Sequence, residues 1–356
     1  MSHDPDVSTT LGGDERVVLV LTPLTNLRRL RDRDFVTDED CTAHELLDLL
    51  RLAAALKQVR RQQRVTPFLP GARLAMIFEA AGAAATRTSF ENSIAELGGN
   101  ALYLRPGEIH PSGRETIGDT AKTLSRMNDA IAISATKDKT VDALAAAAAV
   151  PVISGMDGDR HPCQAMSDAL TIVEHAGRLK GVNFTYLGDA SPVCNSLSTT
   201  LTKLGVNVTL VNAPGYEVAA DRQERAFAYA RESGGSFRVV HDPEKAVRNA
   251  DFIYTDRWWR TGQEAEREQR LRIFRRFRVN GEFLRKAPPG VRFMHCLPAM
   301  PGEEVTDEVI DSEASIVFSQ AKNRLHFQKA LLLALIGIDE PPADLELQTI
   351  ADALLR

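Results

Sequence analysis

Polar side chains capable of chemistry cluster where short apolar runs end. Asp159-Arg160-His161-Pro162-Cys163-Gln164 follows the run 151–155, Tyr254-Thr-Asp256-Arg-Trp258 closes another, and Phe293-Met-His295-Cys296-Leu297-Pro298 closes a third. A fourth group, Ala321-Lys-Asn-Arg324, opens the last helix-patterned run. His161 offers an imidazole and Gln164 an amide that both donates and accepts, which suits a small polar group bearing a carbonyl and an amino function. A strand end leading into a helix start also aims backbone N–H groups into one crevice, so a ligand is expected at 159–164. The bland alternative is a capped His-Pro turn. All four groups can converge on one interdomain cleft. A Cys296 nucleophile served by His295 or His161 is a further reading, although the Leu-Pro turn after the cysteine supplies no activating helix start.

The elements that must position these groups follow a regular scheme. Residues 40–57 carry Leu46, Leu47, Leu50, Leu52, Ala53 and Leu56 at helical spacing, the pattern of an amphipathic helix. Apolar runs at 74–78, 101–104, 130–134 and 151–154 then alternate with helix-patterned segments at 86–97, 117–127 and 141–149. The second half repeats the alternation, with strands expected at 183–187, 206–211, 237–240, 252–254, 291–295 and 316–318, and a long apolar helix at 321–338. Strands alternating with helices predict parallel sheets covered on both faces. The fold class is therefore α/β: two doubly wound parallel-sheet domains joined by interdomain helices. The expected boundaries are a mobile lead-in at 1–14, a first domain at 15–155, a second at 156–320, and a C-terminal helical segment at 321–356 packing back on the first.

A length of 356 residues fits two such domains. The net charge of -5 argues against a nucleic-acid partner, which needs concentrated positive surface. The basic run 270–278 follows Glu264, Glu266 and Glu268 and reads as a solvated helix face. Cys41, Cys163, Cys194 and Cys296 lie far apart without C-x-x-C spacing, which predicts a reducing, cytoplasmic setting and no structural metal. No run approaches 18 apolar residues and no leader pattern opens the chain, so neither membrane insertion nor export is expected. Neither G-x-G-x-x-G nor a Walker A sequence follows any strand, so no nucleotide cofactor is expected.

Taken together, the stretches resemble the ornithine carbamoyltransferase family, within the wider aspartate/ornithine carbamoyltransferase superfamily. The resemblance runs from Leu46 to Gly337 and rests on Met76-Ile-Phe-Glu79 with Thr88-Ser-Phe-Glu91, Leu97-Gly-Gly99, Asp119-Thr-Ala121, His161-Pro-Cys-Gln164, Gly188-Asp189, Asn195-Ser-Leu197, His295-Cys-Leu-Pro298 and Asn323-Arg324. It implies a carbamoyl-phosphate-binding first half, an amino-acid-binding second half, and a homotrimer. The reaction it implies is acyl transfer: an uncharged amine attacks the carbamoyl carbon, an oxyanion develops and phosphate leaves, so donors must already be in place. By the same resemblance the carbamoyl group is held by Thr86, His161, Gln164, Cys296, Leu297 and Arg324, with Arg87 adding charge at a helix start.

Several family positions are changed. Where the family reads Ser-Thr-Arg-Thr-Arg-x-Ser-Phe-Glu, this chain reads Ala83-Ala84-Ala85-Thr86-Arg87-Thr88-Ser89-Phe90-Glu91 without a gap, so Ala85 replaces the first arginine and one extra residue falls in 80–82. A gapped register would delete two residues before Ser89 and rotate the helix face carrying Phe90 and Ile94 by about 200°. Ser134 stands where a second phosphate-gripping arginine is usual, with Lys137 and Lys139 just beyond, and lysine does not reproduce the bidentate fork. Each lost contact is expected to cost on the order of 2–4 kcal/mol in the transition state. On the acceptor side Ser191-Pro192 replaces two asparagines, and Asp256-Arg257-Trp258-Trp259-Arg260-Thr261-Gly262 replaces Asp-x-Trp-x-Ser-Met-Gly. Asp256 suits an α-ammonium. Arg260 suggests an acceptor with an additional anionic group, a filled and closed pocket, or a plain surface residue.

The expectation from these changes is a divergent carbamoyltransferase-fold enzyme. It would move a carbamoyl or related acyl group from a small-molecule donor to an amino compound other than ornithine, with negligible ornithine carbamoyltransferase activity. The rivals are a non-catalytic homologue that binds a ligand or partner in the same cleft, and an enzyme whose donor carries no phosphate.

Overall fold

Five-residue apolar runs buried along their whole length must be covered on both faces, and that is how this chain uses them. The computed structural model describes residues 27–62, 67–79, 84–105, 108, 116–260 and 262–337. The expected lead-in, the extra residue at 80–82 and the segment 338–356 lie outside them. The first half runs α1 (Ala43–Arg61), β1 (Arg73–Phe78), α2 (Ala84–Glu96), β2 (Asn100–Leu104), α3 (Ile117–Ser125), β3 (Ala130–Ser134), α4 (Asp138–Ala147) and β4 (Val152–Met156). After α5 (Pro162–Ala176) come β5 (Asn183–Leu187), α6 (Pro192–Lys203), β6 (Asn207–Val211), α7 (Ala220–Ser233), β7 (Ser236–Val240), α8 (Pro243–Ala246) and β8 (Phe252–Thr255). The chain then passes through α9 (Arg267–Phe274), α10 (Gly281–Leu284), β9 (Arg292–His295), α11 (Asp307–Ile310) and α12 (Val317–Ile336).

Both sheets are parallel throughout, ordered β2-β1-β3-β4 and β7-β6-β5-β8-β9. The order reverses between β1 and β3 in the first and between β5 and β8 in the second. At such switch points the loops leave in opposite directions and open a crevice at the carboxyl ends of the strands. The central strands β3, β5 and β8 are almost wholly buried, and the edge strand β2 is not.

Local chemistry explains the element ends. Thr42 and Glu45 form a reciprocal capping box at the start of α1. Pro162 and Pro192 open α5 and α6, where a missing N–H costs nothing. One sequence expectation fails: residues 316–318 are the start of α12, not a strand. The chain there exchanges backbone bonds with edge strand β9 only through Phe293, which donates to Ala314 and accepts from Ile316, before the helix begins. An apolar triplet too short for a ladder cannot distinguish the two outcomes by periodicity.

Helices hold the two sheets together. α12 packs on α1, α2 and α5, and one apolar core runs through all of them into the second sheet. A polar clamp adds to it. Buried Asp38, ahead of α1, accepts from Ser196 Oγ at 2.6 Å and Thr200 Oγ1 at 3.0 Å, while Lys203 Nζ donates to the carbonyls of Asp38 and Cys41. The three donors sit at successive turns along one face of α6. Burial pushes the Asp38 carboxyl up from its ordinary range, and the two hydroxyl bonds oppose that shift.

Asp38→Ala leaves the two buried hydroxyls of Ser196 and Thr200 short of an acceptor while Lys203 keeps its backbone carbonyls, so it should destabilise the protein by about 1–3 kcal/mol. Urea unfolding of the variant beside wild type measures this, and coincident curves would refute the clamp.

Candidate active site

The first switch point and the start of α5 lie together because β4 delivers the chain directly into that helix. Gly155 in β4 permits the approach: a Cβ there would meet Thr86 Cγ2 at 3.2 Å and the Ile133 carbonyl at 3.3 Å. Thr86 is thereby set in the first turn of α2, beside β4. Arg324, about two turns into α12, then spans the gap, donating from Nη1 to Thr86 Oγ1 at 2.9 Å and from Nη2 to Gln164 Oε1. Gln164 passes the contact on, donating from Nε2 to Asp168 Oδ1 at 2.7 Å, and Gln320 donates to the same oxygen at 2.7 Å.

His161 is the N-cap residue of α5, and its backbone N–H is tied to Ser196 Oγ at 2.8 Å, the hydroxyl that Asp38 holds. Burial, reinforced by the Arg324 charge, drives its imidazole well below the usual pKa, so it is neutral. His161 Nδ1 and Arg324 Nε are buried without a hydrogen-bond partner among the described residues. Native proteins rarely leave such atoms orphaned except where a ligand or water completes them. The set can therefore give a neutral N–H and a cation to one carbonyl oxygen.

The third motif is held from behind. His295 Nδ1 accepts from Leu297 N at 2.9 Å, and its Nε2 is 3.2 Å from Glu304 Oε1, both side chains fully buried. With Nδ1 accepting, the proton is on Nε2 and is donated to Glu304. Leu297 takes φ of 55°, a left-handed conformation costly for a branched residue, and the His295 bond helps to hold it. His295 has both nitrogens engaged and makes no bond to Cys296. Instead Cys296 Sγ donates to Asp256 Oδ1 at 3.2 Å. Desolvation first, and the Asp256 carboxylate second, push the Cys296 thiol far above its ordinary pKa. It is a protonated donor, not a nucleophilic thiolate.

At the second switch point Asp189 follows β5 and Asp256 follows β8. Gly188 between β5 and Asp189 has φ of 137°, accessible only to glycine, and a Cβ there would lie 3.6 Å from the Trp258 ring. Asp189 Oδ2 takes Arg270 Nη1 at 2.8 Å and Arg260 Nη2 at 3.3 Å. Its pKa is nonetheless raised, because burial outweighs both arginines.

The structure thus brings Thr86, His161, Gln164 and Arg324 together, and joins Cys296 to Asp256. Arg87 is less committed to them: its guanidinium pairs with Glu91 at 2.8 Å and lies 4.0 Å from the centre of the Tyr103 ring. Among the changed positions, Ala85 is exposed in the first turn of α2, and Ser134 and Pro192 are buried. Sequence reasoning missed Asp168, Gln320, Glu304, Asp38 and Ser196, which support the site from one layer out. Only Asp168 had a signal, four residues after Gln164 and seven after His161 on one helix face.

Known proteins identify the architecture. Two family models match: the aspartate/ornithine carbamoyltransferase carbamoyl-P binding domain over residues 33–174, and the Asp/Orn binding domain over residues 180–335. The ornithine carbamoyltransferase of Pyrococcus abyssi is 47% identical over 308 residues, covering 86% of this chain and 97% of that protein. That of Bacillus cereus is 41% identical over 314 residues, covering 88% and 98%. The solved ornithine carbamoyltransferase of Pyrococcus furiosus matches with a TM-score of 0.84 at 47% identity, over 86% of this chain and 98% of that one.

These relatives overturn the expectation of an acceptor other than ornithine with negligible ornithine carbamoyltransferase activity, and with it the non-catalytic and phosphate-free rivals. The error lay in treating Ala85, Ser134, Pro192 and Arg260 as independent subtractions. Groups in one site act as a unit, and their losses do not add.

Burial raises the Asp168 carboxyl to about 7 against the hydrogen bonds from Gln164 and Gln320. A folded pKa above the unfolded value means the native state binds the proton more tightly. Stability from this group is thus complete below the unfolded pKa of 3.8 and is lost as pH rises through about 7. Asp168→Asn, which cannot ionise, should show a smaller fall in urea midpoint than wild type between about pH 5 and pH 8. Parallel curves would show that Asp168 is ionised throughout.

Proposed function

The chain belongs to the aspartate/ornithine carbamoyltransferase family, and we propose that it acts as an ornithine carbamoyltransferase, moving the carbamoyl group of carbamoyl phosphate to the side-chain amine of ornithine. The observation that carries this reading is the Arg324 bridge to Thr86 and Gln164 beside a neutral His161, with the unpartnered atoms His161 Nδ1 and Arg324 Nε. The acceptor is taken from relatives named for ornithine at 41–47% identity over most of both chains.

In the reaction the amine lone pair attacks the carbamoyl carbon, the new C–N bond forms, and the C–O bond to phosphate breaks as the amine loses a proton. Negative charge gathers on the carbamoyl oxygen. Arg324 and His161 supply donors for that charge, and their burial strengthens the interaction because little water competes. Gln164 and Asp168 keep the guanidinium oriented, so little reorganisation is needed when charge develops. Phosphate is expected near the start of α2, where Arg87 and the helix N-terminus favour an anion. Asp256, buried and paired with no cation among the described residues, suits the α-ammonium of the acceptor.

We read the protein as a cytoplasmic homotrimer. The free cysteines suit a reducing compartment, and among the described residues no helix is long and apolar enough to cross a membrane. Support for assembly comes from Leu102 and Phe318, 50% and 68% exposed, which leave apolar area for a neighbour to cover. Light scattering should give three times the chain mass of 39.1 kDa; a monomer at micromolar protein would contradict this assembly.

Purified protein should form citrulline from ornithine and carbamoyl phosphate at roughly 1–1000 s⁻¹. Arg324→Ala or His161→Ala should lower kcat by about 10²–10³, the loss seen when one oxyanion donor is removed. The attacking amine must be neutral and has an ordinary pKa of about 10.4, so kcat/KM should climb with pH toward that value. No inflection near 6.5 should appear, since a depressed His161 pKa keeps it neutral throughout. Absence of citrulline would reject the reading.

A further inference from the structure

An amino-acid acceptor presents an ammonium and a carboxylate on one carbon, and the loop after β8 carries the complementary pair. Among the described residues the Asp256 side chain, at the start of that loop, bonds only the Cys296 thiol and the N–H of Arg257. Four residues on, Arg260 extends from the same loop to Asp189, its side chain 28% exposed, and that 3.3 Å contact is its side chain's one hydrogen bond among the described residues. Arg270 contacts the same Asp189 oxygen at the shorter 2.8 Å, is 9% exposed, and is fixed further by Glu266 and the Trp258 carbonyl. Arg270 therefore stays on Asp189 when Arg260 leaves, and Arg260 has unused donors in a fork that fits a carboxylate. Little else on the β5 side competes for an anion. Ser191 Oγ is taken by Cys194 N and Tyr186, and Pro192 has no N–H.

We propose that Arg260 binds the α-carboxylate of the acceptor, leaving Asp189 to Arg270 as it does so, and that it makes this site select an α-amino acid over a plain diamine. The inference rests on the ornithine reading above and assigns to Arg260 the ordinary carboxylate of ornithine, not an additional anionic group.

The test compares wild type, Arg260→Gln and Arg260→Lys with L-ornithine and with 1,4-diaminobutane, which has the same amine spacing and no carboxylate. Binding of L-norvaline, which keeps the α-carbon groups and lacks the attacking amine, is measured by calorimetry with carbamoyl phosphate present. Arg260→Gln should raise KM for ornithine and weaken norvaline about ten- to a hundredfold, with kcat changed much less. Arg260→Lys should fall between, and kcat/KM for the diamine should not fall in either variant. Unchanged ornithine KM and norvaline affinity in Arg260→Gln would overturn the proposal, as would tighter binding, which marks Arg260 as a plug. Citrulline formed with equal kcat/KM by wild type and Arg260→Gln sinks this inference alone. A wild type that makes no citrulline yet binds norvaline through Arg260 sinks the ornithine reading alone, and a wild type that neither makes citrulline nor binds norvaline sinks both.

Discussion

Arg324 is a single guanidinium on which three separate parts of the fold meet. It arrives from α12, reaches Thr86 on α2 and Gln164 on α5, and its charge adds to the burial that depresses the His161 imidazole. A buried cation is costly unless its donors are matched. Two of its nitrogens are satisfied by protein and Nε is not, so the fold supports this charge while leaving part of it for a ligand. The long α12 helix and its packing on α1, α2 and α5 can be understood as the framework that makes this placement reproducible.

Behind that residue the polar groups are arranged in relays. Gln164 leads to Asp168 and Gln320, and His161 leads through Ser196 to Asp38 ahead of α1. His295 and Glu304 do the same for the Leu297 turn. Each relay buries a carboxyl at some cost, and each carboxyl fixes a group that faces the cleft. A buried network that is nearly complete rigidifies its members, because any alternative rotamer breaks more than one bond. On the ornithine reading, His161 Nδ1 and Arg324 Nε, left unpaired within the network, are the atoms available to substrate.

The acceptor side is organised by charge in a different way. Asp189 carries two arginines of unequal commitment, one enclosed and multiply bonded, the other on a partly open loop. Such asymmetry lets one cation move without leaving the buried carboxylate bare.

Much of this protein could be read from its residues in order. Alternating apolar runs placed nine strands to within a residue or two, because each run was short, bounded by turn residues and matched to a two-faced burial. His161, Gln164 and Cys296 were legible because they stand at or just past element ends, where side chains face a crevice, whereas Arg324 lies inside α12 and was singled out by the family resemblance. The run 316–318 was misread, since three apolar residues have no period and its fate depended on how the chain meets β9. The supporting residues Asp38, Ser196, Gln320 and Glu304 were invisible for a related reason: their partners lie far away in sequence, and only packing brings a carboxylate to a distant hydroxyl. The same limit explains the functional error. Ala85, Ser134 and Pro192 show which side chains are missing, whereas catalytic competence depends on the groups that remain and on their distances. The residue pattern determined the layers, the family and the candidate chemistry through local periodicity and motif spacing. The tertiary structure decided which of those groups share a hydrogen bond, because charge placement inside a fold is set by contacts between segments that the chain order keeps apart.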